Sequence, residues 1–149
     1  MRTERGFTLI ELLTVLVILS ILSGLGMYSF SVYQARAAYI VAEQTMSDAR
    51  TDLEASITSV DNPPGSVALY AQAIQGPLQN AAAAALLPST RVPRNVKFQV
   101  SYDSGCIDGG CQSEFIQVNH CNGSEYVRWI RFGDGVDVLL DHLAGSGCP

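Results

Sequence analysis

"RGFTLIELLTVLVILSILSGLGMYSF", residues Arg5 to Phe30, is an apolar run long enough to cross a bilayer, and it carries one glutamate, Glu11, near its start. From Phe7 to Phe30 the only ionisable side chains are Glu11 and Tyr28. A helix of that length spans about 36 Å, enough for the hydrocarbon core of a membrane. Arg2 and Arg5 precede it, so the positive-inside rule holds the N-terminus in the cytoplasm and sends the remainder outward. A cleaved secretory signal needs a shorter, uncharged apolar core with a small-residue cleavage site behind it. A lipoprotein signal needs a cysteine after "ILSG", and none is there. A plain anchor gains nothing from a carboxylate that costs about 2.5 to 3.5 kcal/mol at the bilayer centre. Glu11 therefore requires a partner.

The stretch "RGFTLIELL" resembles the class III signal of type IV pilins and the related pseudopilins. The resemblance covers roughly the first 30 residues. It implies cleavage by a prepilin peptidase after Gly6, N-methylation of the new first residue Phe7, and a role for Glu11 in assembly. In that family the fresh α-amine is thought to pair with the glutamate of a neighbouring subunit. Inside a dry helix bundle each unpaired charge is costly, so the pair selects one axial register. The implied partners are further copies of the chain in a helical filament, the peptidase, an inner-membrane assembly platform and a motor ATPase. Many members carry glycine where this chain has Ser20 and proline where it has Tyr28. A proline-driven kink is therefore absent, which points away from a typical major pilin. The alternatives are a pseudopilin of a type II secretion system, or a minor or tip subunit with an adhesin or DNA-binding role.

Beyond Phe30 the pattern turns amphipathic without a break. Val32, Ala35, Tyr39, Ala42, Met46, Ala49 and Leu53 recur at spacings of three and four, one stripe of a helix. Pro63, Pro64 and Gly65 forbid continuation. The expected organisation is a leader at 1–6, a membrane and filament-core helix at 7–30, an amphipathic half at 31–60, a helical loop region at 61–95 and an antiparallel sheet at 96–149. Within 61–95, Ser66 to Leu87 reads as one or two short helices, with Gly76 ending the first and Pro77 starting the second. From Val96 the period drops to two, and Val96 to Tyr102, Glu114 to His120, Glu125 to Phe132 and Val136 to Asp141 read as strands separated by turn-rich segments. The fold class is α+β, a long helix packed on a four-stranded antiparallel meander.

The 149 residues suit one compact domain plus an appendage, and the net charge of −5 argues against a dedicated nucleic-acid binder. Five of the nine basic residues, Arg91, Arg94, Lys97, Arg128 and Arg131, nevertheless fall in the C-terminal part. Solvated strand faces explain them more simply than an anion site. No catalytic constellation and no cofactor motif is present, so the chain reads as non-enzymatic. Zinc held by Cys106, Cys111, His120 and Cys121 lacks a known ligand spacing. Asp134, Asp137 and Asp141 lack the calcium-loop pattern. Asn122-Gly123-Ser124 fits a glycosylation sequon and equally a hairpin turn.

Four cysteines in an exported chain favour disulfides. In an up-and-down meander the end of the first strand meets the start of the second, bringing Cys106 near Cys111. The ends of the second and fourth strands share the opposite edge, bringing Cys121 near Cys148. Non-reducing peptide mapping should recover these two linkages, and a Cys111–Cys121 crosslink would count against the meander.

Overall fold

The computed structural model describes residues 8–58, 65–106, 109–123 and 125–145. Two compact units are present, residues 1–34 and 35–149. One helix, α1 (Leu9–Ile57), contributes to both. It runs unbroken through Ser20, Gly24, Gly26 and Tyr28, and the hydroxyls of Ser20 and Ser23 bond back to the carbonyls of Leu16 and Leu19. At its end, Thr58 Oγ1 donates to the carbonyls of Glu54 and Ala55 at 2.8 and 3.2 Å, satisfying acceptors that a terminating helix leaves open. The helix thus stops before the prolines, which lie outside the described residues.

In the second unit a five-stranded antiparallel sheet has the order β1 (Val67–Gln72), β4 (Val96–Tyr102), β5 (Gln112–His120), β6 (Glu125–Phe132) and β7 (Asp137–Ala144). The fold class is α+β, but the sheet has five strands where four were expected. The additional strand is β1, which lies in the region read as helical. It pairs with β4 through Tyr70–Val100 and Gln72–Phe98, with a register break between Val67 and Tyr70. That break disrupts the alternation by which a strand announces itself. The same region also holds β2 (Gly76–Pro77), paired with β3 (Arg91–Val92), and a single short helix α2 (Ala81–Leu86). Pro77 therefore sits in a strand pair. Asn80 starts α2 instead, its Oδ1 accepting from the backbone of Ala82 and Ala83.

Alternation along β4, β5 and β6 sends Phe98, Val100, Ile116, Val118, Val127 and Trp129 to one face, where they meet Ala42, Met46, Ala49 and Leu53 of α1. The buried stripe of α1 begins at Ala38; Val32 and Ala35, expected to belong to it, are exposed. Gln72 is a polar side chain buried against this core. Gln72 Oε1 accepts from Tyr70 and from the Gln79 backbone, and Nε2 donates to the carbonyls of Ile74 and Pro77. All four bonding sites of the amide are used, so its burial carries no unsatisfied group. A second tie joins α1 to the loop before β3, where Asp52 Oδ2 accepts from the backbone of Ser89 and Thr90 and from the Thr90 hydroxyl, each at 2.9 Å.

Leu53 is fully buried while Leu69 is 63% exposed. Leu53→Ala should lower stability by about 2–5 kcal/mol, and Leu69→Ala by less than about 0.5 kcal/mol, in denaturant melts of the full chain.

Candidate functional site

The site begins where α1 begins. Thr8 is the residue before the first helical turn, and Glu11 lies three positions on. The Thr8 backbone N–H and hydroxyl donate to Glu11 Oε2 at 3.0 and 2.9 Å, while the Glu11 N–H donates to Thr8 Oγ1 at 3.3 Å. This is a reciprocal capping box, in which two otherwise orphaned backbone donors of the helix terminus are satisfied. The carboxylate also lies at the positive end of the helix dipole. The pattern Thr-x-x-Glu ahead of an apolar run is a legible sequence signal, and sequence reading passed over it in favour of an intermolecular role.

Around this polar cap every described side chain from Leu9 to Phe30 is exposed; Leu9 reaches 82% and Phe30 63%. By length and composition α1 is able to cross a membrane. Side chains this apolar need lipid or other helices around them. The one charge among them in the described part of the unit's apolar run is Glu11. Gly6 and Phe7, the expected cleavage and methylation positions, lie outside the described residues.

The described cysteines are committed to disulfides. Cys106 and Cys111 are bonded, with Cα atoms 5.9 Å apart. Cys121 is also disulfide-bonded; Cys148 lies outside the described residues. Strands β5 and β7 end at the same edge of the sheet, since each is antiparallel to β6. Sulfur atoms held this way are not thiolate ligands, which removes the zinc arrangement. His120 instead accepts the Asn122 backbone N–H through Nδ1 at 3.2 Å, within the turn that joins β5 to β6. Asp137 is held by arginines, and Asp134 Oδ1 accepts from the Val136 backbone.

The basic residues do not act as one patch. Arg131 lies on the helix side of the sheet and contacts three carboxylates: Asp137 at 2.6 Å, Glu54 at 3.0 Å and the buried Glu114 at 3.2 Å. Arg50 of α1 contacts Glu54 at 3.1 Å and Asp137 at 2.9 Å. Both guanidinium groups lie over the Trp129 ring, 5.1 and 5.0 Å from its centre. This clasp fastens α1 to β5, β6 and β7, and sequence reading missed it. The Arg50–Glu54 spacing of four was a visible hint, but Arg131 and Glu114 meet only through the strand register. On the outer face, Arg128 packs over Phe115 and Tyr126.

A family model described as the prokaryotic N-terminal methylation motif matches residues 1–27. Searches of curated proteins and of solved structures find no match to this chain.

The clasp has a defined pH response. Arg131 hydrogen bonding holds the Asp137 carboxyl below its ordinary value. Its contribution to stability is present above the unfolded-state value and is lost as pH falls through the folded one, in the window below about pH 4. Burial pushes Glu114 the other way, so its protonation favours the folded state and partly offsets that loss. Asp137→Asn should flatten the acid limb of a stability–pH profile. At neutral pH, Arg131→Met leaves Glu114 buried without its cation and should cost about 3–5 kcal/mol. The more exposed Arg50→Met should cost about 0–1 kcal/mol.

Proposed function

We propose that the chain, which carries the N-terminal methylation motif, is a precursor of the type IV pilin and pseudopilin kind and a non-enzymatic structural subunit of an extracellular type IV pilus. In this reading the precursor sits in the inner membrane through α1, with residues beyond the apolar run on the outer side. Prepilin peptidase cleaves after Gly6 and methylates Phe7. An inner-membrane platform and a motor ATPase then drive extraction into the growing fibre, where the apolar halves of neighbouring α1 helices cover one another. Packing contacts drive association while the helices are in lipid, and burial from water adds to it once they leave.

The observation that carries the proposal is the lone carboxylate among the described side chains of the apolar, exposed stretch of α1 from Leu9 to Phe30. Among the described residues, the Glu11 carboxylate is held by Thr8. Cleavage after Gly6 creates a cationic amine one residue before Thr8, beside the same cap. Within a fibre, that amine from an adjacent subunit supplies the opposite charge that Thr8 does not, and an ion pair in a dry bundle is held far more strongly than a pair in water. The capping box keeps the acid oriented until then.

A second reading, the pseudopilin of a type II secretion system, draws on Tyr28 and Ser20. Both stand within an unbroken stretch of α1, with no proline to loosen it. The two readings separate by abundance: a pilus subunit dominates sheared surface fibres, and a pseudopilin does not.

Glu11→Ala should leave leader cleavage and membrane insertion intact. It should raise the critical concentration for assembly about a hundredfold, the equivalent of about 3 kcal/mol per subunit, so that sheared fibres are lost. Normal fibre yield from this variant would refute the role of Glu11 in register.

A further inference from the structure

The outer face of the sheet, opposite the core, has a charge pattern unlike the rest of the molecule. Strand register places three central rows across it, passing through Lys97, Gln99 and Ser101 of β4. These rows contain Lys97 and Arg128 and no carboxylate, in a chain whose net charge is −5. The middle row runs Gln99, Gln117, Arg128 across three adjacent strands. Neighbouring strands lie about 4.8 Å apart, so this row presents an amide, an amide and a guanidinium in a line.

Arg128 is oriented before any ligand arrives. Its Nε and Nη2 donate to Gln117 Oε1 at 2.9 and 2.7 Å, and Nη2 reaches the Tyr126 hydroxyl at 3.4 Å. Its guanidinium also lies over the rings of Phe115 and Tyr126, at 5.6 and 5.3 Å. No carboxylate pairs with it among the described residues. Gln117 turns its oxygen to Arg128, which leaves its two amide protons for another acceptor.

We propose that this face binds an acidic polysaccharide, a chain of sugar units bearing carboxylates, along the Gln99–Gln117–Arg128 row. Neutral amides match sugar hydroxyls, and the guanidinium, its Nε and Nη2 edge held by Gln117, presents Nη1 to a uronate carboxylate as a charge-assisted donor. Lys97, one row away, adds a second cation. A nucleic acid fits less well, because the rings that would have to stack its bases lie under the Arg128 guanidinium. An acidic peptide fits less well too, because the face of a sheet offers none of the main-chain groups by which extended peptides are held.

The test uses the full chain in a zwitterionic detergent and measures binding to polygalacturonate, its methyl ester, oligothymidylate and polyglutamate. Polygalacturonate should bind, and the uncharged methyl ester should bind at least about tenfold more weakly. Arg128→Lys keeps the charge and loses the planar group that Gln117 holds in place, so it should also weaken binding about tenfold. Gln99→Ala changes a side chain outside the core and should weaken binding severalfold with an unchanged melting temperature, which keeps the test valid if Arg128→Lys misfolds. Absence of polygalacturonate binding, equal or tighter binding of oligothymidylate or polyglutamate, or binding indifferent to Gln99→Ala would overturn the proposal.

Discussion

A carboxylate in an apolar helix is tolerable only while something holds it, and the first described turn of this chain shows what does. Thr8 and Glu11 satisfy each other across the helix start, where the dipole already favours a negative group. That arrangement neutralises hydrogen-bonding need but not charge. The proposed assembly completes it, because proteolysis at Gly6 produces a cation beside the cap and a second copy places it within reach. Under that proposal the same residues serve a stored precursor and a subunit in register.

The second unit solves a different problem. A long helix must be fixed on a sheet whose last strand, β7, is only half covered, and apolar packing is concentrated over β4, β5 and β6. The clasp of Arg50, Arg131 and their carboxylates over Trp129 reaches β7 through Asp137. Its charged groups lie at the margin of the core, where the packed residues end, and so retain partial access to water. Further along β7 the same margin carries His142, stacked on Tyr39 of α1 and paired with Glu125 at 2.7 Å. Polar contacts extend the helix–sheet junction beyond what burial alone covers.

Legibility followed periodicity. Strands β4 and β6 were readable to the residue because inward and outward side chains alternate cleanly, and α1 was readable because its apolar pattern persists for many turns. β1 was not readable. Its register break removes the alternation, its alanines favour helix on propensity, and its pairing with β4 is a contact made across a long stretch of chain. The clasp was hidden for the same reason: Arg131 and Glu114 are adjacent only once β5 and β6 are paired, and Glu54 joins them only when the helix is docked. The N-terminal motif, by contrast, is local chemistry, and both its family match and its capping box are written in consecutive residues.

The most direct measurement is zero-length carbodiimide crosslinking of fibres assembled from a mixture of unlabelled and nitrogen-15-labelled subunits. Peptides would be analysed for an amide between the Phe7 amine and the Glu11 carboxylate. The account predicts crosslinked pairs of mixed label, since amine and acid come from different copies. Pairs carrying one label only, or an intact chain still bearing Met1 in the fibre, would contradict it.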